Sequence, residues 1–395
     1  MARTKATLAA GARLADYLTL GYLALNCPLQ AVHAALADHG KQSQRRRGLP
    51  HEVLVYYVMC LSLYREAAYE EVLRIAIEGL RHIYGDQISD STVSKGAISQ
   101  ARHRVGAEVF ESLYRSQIQV CGPASMPGVW YRGFRVMGLD GSTMEVPDEV
   151  ANAEHFGYPG VSRGAAAFPR FRFCALVECG TRVLIGAQMG PYRAGEKTLA
   201  SEVMQASQPD MLVLSDRGFV GYAFWLQSQV NGAKLLFRAR DNQVLPVLQR
   251  LEDGSYLSKL YETPKARRHD EGVQVRVIEY ALEGSDESYR LVTNWLEAGQ
   301  APAHELAALY HRRWQIETAF AELKTQLNGQ MTLRSKTPEL VRQEFYALLI
   351  THAAIRRLMT QAAEGSHQAC EDLSFIHAVR VIKRRLPQVV FSPSA

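Results

Sequence analysis

The stretch Met211-Leu-Val-Leu-Ser215 constrains the fold more than any other in the chain. Five residues without charge and without alternation read as a strand buried on both faces, and such strands belong to parallel sheets with helices packed on either side. Asp216 follows at once, so a carboxylate stands at the carboxyl end of a central strand. Before it, Phe134 to Val146 reads as a strand with Asp140 in its middle, ended by Pro147 and Asp148. Phe171 to Glu178 and Thr181 to Met189 make a hairpin across Cys179-Gly180. Glu196 to Ala206 reads as a helix, as does Gly221 to Val230, and Lys234 to Ala239 is strand-like. Asn152 to Pro169 reads as a long loop.

From about 240 to 294 the chain turns to short strand-like pieces, notably Gln274 to Leu282 and Tyr289 to Thr293. Pro302 then opens a helix, Asn328-Gly329 closes it, and helices near 337–360 and 371–386 end the chain. Three strands, helix, strand, helix, strand, insertion, helix is the order of a ribonuclease H-like α/β domain. Residues 1 to about 120 read as helical throughout: Pro50 to Tyr64 as a buried helix, Ala67 to Tyr84 as an amphipathic one. Ser89-Asp90-Ser91-Thr92 supplies a cap for the basic stretch Val93 to Arg104. A helix-turn-helix placing Ser99, Gln100, Arg102 and Arg104 on DNA is one reading, and a helical bundle with a solvated basic face is an equal one. Turn formers from Cys121 to Gly128 mark the best boundary. The expected layout is therefore an all-α N-terminal domain over 1–120, a candidate for DNA-end binding. A ribonuclease H-like catalytic domain over 129–239 and 302–395 follows, with a β-rich insertion over 240–301.

A chain of 395 residues, 47% hydrophobic, is long enough for two or three domains with real cores. A net charge of +5 says little about a polyanionic partner, so the local clusters Arg45-Arg46-Arg47, Lys265-Ala266-Arg267-Arg268 and Lys383-Arg384-Arg385 matter more. Six cysteines without a CxxC pair fit the reduced thiols of a cytoplasm and argue against structural zinc. Gly11, Arg13, Asp16 and Thr19 break any apolar run near the start, which predicts a soluble, unexported protein without a membrane span.

The helix opened by Pro302 carries two faces. At about 100° per residue, Tyr310, Arg313, Glu317 and Lys324 share an arc of roughly 60°, beside a stripe of Leu309, Ile316, Phe320, Leu323 and Leu327. Glu317 should therefore sit at the rim of a core. In this strand order Asp140 and Asp216 come from neighbouring strands and Glu317 can meet them. Hard oxygen ligands of this kind suit Mg²⁺, with Mn²⁺ able to substitute, and two such ions serve phosphodiester displacement. Arg313 and Lys324 can then hold DNA phosphates, with Tyr310 adding a hydrogen bond or a stacking face. Each residue has a plainer reading. Asp140 before Gly is a turn former, Asp216-Arg217-Gly218 a salt-bridged turn, Glu317 with Arg313 a solvated ion pair, and Trp314 a core side chain.

The same residues carry a resemblance. Tyr310, Arg313, Glu317 and Lys324 match, without spacing error, the Tyr-(2)-Arg-(3)-Glu-(6)-Lys signature of DDE transposases of the bacterial insertion-sequence-four family. Leu139-Asp140-Gly141-Ser142 and Ser215-Asp216-Arg217-Gly218-Phe219 resemble its two Asp blocks, and the likeness runs from about 90 to 350. It implies a metal-binding triad of Asp140, Asp216 and Glu317, and contacts to transposon-end DNA from Tyr310, Arg313 and Lys324. It further implies cleavage at element ends, joining of the 3′ hydroxyl to target DNA, and a homodimer assembled on double-stranded DNA. In members that cut through a hairpin, a Trp of the insertion holds a flipped base; Trp295 either does this or packs. Two rivals stand beside this reading. A haloacid-dehalogenase-like phosphatase would need a nucleophilic Asp where Gly138 stands, and a domesticated, catalytically silent DNA-binding relic would not need the intact triad.

Overall fold

A computed structural model describes residues 14–43, 49–85, 93–160, 166–281, 288–366 and 368–384. The Arg45–Arg47 cluster, the expected Ser89–Thr92 cap and Arg385 lie outside the described residues. Six helices come first: α1 (Leu14–Asn26), α2 (Leu29–Asp38), α3 (His51–Leu63), α4 (Tyr69–Tyr84), α5 (Lys95–Val105) and α6 (Glu108–Gln117). Every residue of α3 from Val53 to Leu63 is buried, which explains why it has no polar stripe. Glu70 and Glu71 open α4 while Arg81 and His82 close it, the arrangement that complements the helix dipole. Helix α5 is capped by the Ser94 hydroxyl, which accepts from the Ala97 N–H at 3.3 Å.

Arg102 corrects one half of the DNA reading of α5. Its guanidinium is buried and donates to Gln343 Oε1 at 2.7 Å, Ser335 Oγ at 2.9 Å and the Leu340 carbonyl at 3.1 Å. It therefore ties α5 to the C-terminal part of the chain, and only Ser99, Gln100 and Arg104 of that group face outward.

Strands β1 (Trp130–Tyr131), β2 (Phe134–Glu145), β3 (Arg170–Glu178) and β4 (Leu184–Pro191) follow, with α7 (Val150–Phe156) between β2 and β3. Helix α7 lies where a loop is expected; at seven residues with only Asn152 and Phe156 buried, it shows too little periodicity to be read. Then come α8 (Glu196–Val203), β5 (Met211–Ser215), α9 (Tyr222–Ser228) and β6 (Lys234–Arg238). Next are β7 (Gln249–Arg250), β8 (Tyr256–Tyr261), α10 (Pro264–Arg268), β9 (Gly272–Ala281) and β10 (Ser288–Thr293). The basic cluster at 265–268 is α10, which buries no residue. The chain ends with α11 (Ala303–Tyr310), α12 (Trp314–Ala321), α13 (Pro338–Ser366) and α14 (Phe375–Arg384).

The strands form one sheet in the order β4-β3-β2-β5-β6-β10-β9-β8-β7, with β1 on β2. Strands β2, β5 and β6 are parallel and β3 and β4 antiparallel, the ribonuclease H-like arrangement. The segment from β7 to β10 extends the same sheet, because β10 pairs antiparallel with β6 through Leu291, Val292 and Thr293. Strand β5 is covered on both faces: Met211 and Val213 pack with Leu199, Phe224 and Trp225. On the opposite face Leu212 and Leu214 pack with Leu306, Tyr310 and Trp295. At about 1.5–3 kcal/mol for each fully buried aliphatic chain, this strand is anchored well enough to hold a charged residue at its end.

Composition changes at Cys121–Gly128, but a core runs across it. Helices α1 to α6 share a cluster with Phe171 and Phe173 of β3, Ile316 and Phe320 of α12, and Phe345 of α13. Phe345 stands edge-on to Phe171 at 5.1 Å, so α13 joins the helices to the sheet. No helix among the described residues is long and apolar enough to cross a membrane.

Candidate active site

The β2–β5 ladder ends with Leu139 opposite Ser215. One residue further on, Asp140 stands in the middle of β2, paired with Ala175 of β3, and Asp216 follows the end of β5, so the two come from neighbouring strands spaced about 4.8 Å apart. Two bonds hold this corner: the Ser215 hydroxyl donates to the Leu139 carbonyl at 2.9 Å, and the Tyr310 hydroxyl donates to the Ser215 carbonyl at 3.2 Å. Each Asp also accepts a short local bond, Asp140 Oδ1 from the Gly141 N–H and Asp216 Oδ1 from the Gly218 N–H, both at 2.8 Å.

The segment expected as one even helix is a relay of helical forms. Helix α11 passes into a 3₁₀ turn at His311–Arg313, then α12, then a π-turn at Glu322–Leu327. The apolar stripe is buried at Ile316, Phe320, Leu323 and Leu327, with Leu309 half-buried. Glu317 stays 40% exposed at the rim of that core. The approach of α12 to the sheet depends on Gly138, because a Cβ there would stand closer than 3.0 Å to Cγ1 and Cδ1 of Ile316.

Arg313 joins the two sides. Its guanidinium donates to Asp140 Oδ2 at 3.3 Å and to Glu317 Oε1 at 2.9 Å, bridging the strand and helix carboxylates. Among the described residues no three His, Cys, Asp or Glu side chains stand together as a metal cluster. Asp140 and Asp216 are thus the adjacent pair, and Glu317 is reached through Arg313. Burial pushes the Asp140 carboxyl up to about 6; the nearby Asp216 and Glu196 add to this, while the Gly141 N–H and Arg313 oppose it.

Lys324 lies on the same side, its Nζ donating to Ser142 Oγ at 2.8 Å. Burial, helped by Arg170, holds its ammonium below the usual lysine range. The Tyr310 phenol is buried, so it offers no stacking face and instead steadies the end of β5. Trp314, expected in the core, is 60% exposed, with the Arg313 guanidinium 5.6 Å from its ring centre. Trp295 packs: it is buried, edge-on to Phe134 at 4.7 Å, and donates to Gln300 Oε1.

One group escapes sequence reading. Glu322, in the π-turn, is buried and accepts from Arg182 at 3.0 Å, Arg356 at 3.0 Å and His352 at 3.3 Å. Its trace in the sequence is slight: His352 and Arg356 stand one turn apart within α13.

The chain is similar to several known proteins. A family model described as transposase DDE domain matches residues 132–353. One described as insertion element 4 transposase N-terminal matches residues 17–115. The chain is 26% identical over 345 residues to the transposase InsG for insertion sequence element IS4 of Escherichia coli strain K12, covering 85% of this chain and 75% of that protein. A solved piggyBac transposase synaptic complex with hairpin DNA aligns with a TM-score of 0.49 and 8% identity, covering 93% of this chain and 79% of that one.

Proposed function

We propose that this chain, which belongs to the DDE transposases of the insertion-sequence-four family, cleaves phosphodiester bonds at the ends of its element and joins the freed 3′ hydroxyl to target DNA. The observation that carries this reading is the corner where Asp140, within β2, and Asp216, just past the end of β5, come from adjacent parallel strands, with Glu317 linked to Asp140 through Arg313.

The donor set fits a hard divalent cation. The three acids offer carboxylate oxygens, the hard donors such an ion takes, and Arg313 shows that they attract positive charge. Asp140, Asp216 and Glu317 would hold Mg²⁺ or Mn²⁺. Two such ions, when bound, activate the attacking oxygen and stabilise the leaving one in phosphodiester displacement. The chain's own groups do the rest. Lys324 and Arg313 supply positive charge to phosphates beside the carboxylates. Tyr310 fixes the Ser215 carbonyl and hence the exit of Asp216. Ile316, seated on Gly138, sets how closely the helix carrying Glu317 approaches. Two element ends must be joined, so the acting form is a homodimer on double-stranded DNA, working in the cytoplasm at the nucleoid.

The test is cleavage of the element's own end DNA by purified protein with Mg²⁺, in the parent and in Asp140→Ala, Asp216→Ala and Glu317→Ala. Cutting should vanish in all three. A variant that cuts as well as the parent removes that carboxylate from the proposed triad.

A further inference from the structure

Two arginines clasp the junction between the helical bundle and the loop that leads into α13. Arg65, between α3 and α4, donates to the Thr332 carbonyl at 2.6 Å. Arg334 donates back to the Ala67 carbonyl at 3.1 Å, its guanidinium 4.1 Å from the centre of the Tyr69 ring. Arg102 enters the same place from α5 through Ser335 and Leu340. Among the described residues, the acid these three guanidiniums meet is Glu344. Its carboxylate already accepts from the Arg334 N–H at 2.9 Å and from the Ser335 hydroxyl, and it lies 3.8 Å from Arg65. Positive charge is therefore in excess.

Donors are left over as well. Among the described residues Arg65 Nε, Arg334 Nη1 and the hydroxyls of Tyr57 and Thr337 are buried without a hydrogen-bond partner. The Arg65 side chain is only 8% exposed, and Tyr57 is fully buried within α3, close enough to feel the charges of Arg102 and Arg334. Thr337 stands directly before α13, whose 29 residues bring the positive end of a helix dipole to the same loop. Arg334 and Thr337 are half-buried and Lys336 between them is exposed, so the junction borders solvent. Burial holds the Arg65 and Arg102 guanidiniums below the usual arginine range, although Glu344 opposes this. Buried positive charge ringed by unfilled N–H and O–H groups is costly unless an anion compensates it.

We infer that this junction is an oxyanion site that takes one phosphate group between Arg65 and Arg334, supplied by inorganic phosphate or by the backbone of bound DNA. Guanidinium N–H groups match phosphate oxygens in pairs, and the two hydroxyls add donors. An occupant would tie the N-terminal bundle to the loop that follows Lys324. Radiolabelled orthophosphate is dialysed to equilibrium against the full chain as parent, Arg334→Gln, Arg334→Lys, Arg65→Gln and Arg250→Gln, with circular dichroism reporting that each is folded. The parent should hold one phosphate per chain. Arg334→Gln and Arg65→Gln should weaken binding about tenfold or more. Arg334→Lys keeps the charge but loses the paired N–H groups, so it should fall between Arg334→Gln and the parent; it carries the test if the other two fail to fold. Arg250→Gln, exposed on β7, should bind as the parent does. A second arm adds duplex DNA. Displacement of the label, with the salt dependence of DNA binding flattened by about one unit of slope in Arg334→Gln, identifies the DNA backbone as the source. Label that stays in place identifies free phosphate, and a flattened slope without any label uptake identifies a site that takes phosphate only from DNA. Parent-like binding by the folded Arg334 and Arg65 variants, equal weakening by Arg250→Gln, or no label uptake together with an unchanged slope overturns the inference. The DNA source rests on the proposed function and the orthophosphate site does not; neither arm uses Asp140, Asp216 or Glu317, so the two readings fail separately.

Discussion

Replacing Gly138 with Ala tests whether the seat of Ile316 sets the site. The added methyl would lie inside 3.0 Å of both Cγ1 and Cδ1 of Ile316, whereas carbon atoms rest about 3.5–4.0 Å apart. Helix α12 must then back away by about 1 Å, or Ile316 must leave its rotamer. Overpacking of this kind costs about 1–3 kcal/mol. It also draws Arg313 and Glu317 off Asp140, and a misplacement of about 1 Å costs about 100-fold in rate. Ile316→Ala alone empties the seat, at about 2–5 kcal/mol. In the double variant the nearest atom to the new methyl is Cβ of residue 316, 3.7 Å away, which is ordinary contact. The two changes should therefore be non-additive, with the double variant more stable than the sum by about 0.5–3 kcal/mol and part of the cleavage recovered. Urea unfolding of the four proteins gives the coupling, and end-DNA cleavage gives the rates. Additive stabilities, or a Gly138→Ala variant that cuts at the parent's rate, would refute the reasoning.

Asp140 gives a pH test. Its carboxyl is raised to about 6 against 3.8, so the folded chain keeps a proton that the unfolded chain releases. The associated stability is present below pH 3.8 and is lost as pH rises through about 6, up to about 3 kcal/mol for a side chain only 19% exposed. Asp140→Asn removes this loss, so its advantage over the parent in EDTA should grow between pH 4 and 7.5; a constant difference in denaturation midpoints would count against it. Glu322→Gln leaves Arg182 and Arg356 short of a buried counter-charge and should cost about 3–5 kcal/mol in urea unfolding; a loss under 1 kcal/mol would show that the network is not holding the π-turn. Lys324→Ala should flatten the salt dependence of DNA binding by about one unit of slope, because among the described residues Lys324 is paired with a hydroxyl and with no carboxylate. Arg313→Ala should flatten it by less, because a phosphate must compete there with Asp140 and Glu317; equal slopes would contradict that order.

Much of the sheet was legible because β5 has no polar side to show, and a strand buried on both faces admits few folds. The place of Asp216 was legible for the same reason, as a charge set where an apolar run stops. What escaped depends on contacts between distant segments. Arg102 looks like a surface cation until α13 supplies Gln343 and the Leu340 carbonyl. Trp314 looks like core until the 3₁₀ turn ahead of it sets its direction outward. Glu196 looks like a helix-opening acid, and only the bare backbone of Gly141 shows that its side chain lies against β2.

Arg313 shows why spacing alone was not enough. Its position in the signature helix predicts a cation facing DNA, but the strand register places Asp140 opposite it and the i,i+4 spacing places Glu317 beside it. The same guanidinium therefore sets the separation of two carboxylates, and under the proposed function it would also offer charge to a phosphate. Strengthening either contact weakens the other. Under the proposed function, a phosphate or a divalent ion that relieved Arg313 of one partner would couple the grip on DNA to the readiness of the carboxylates.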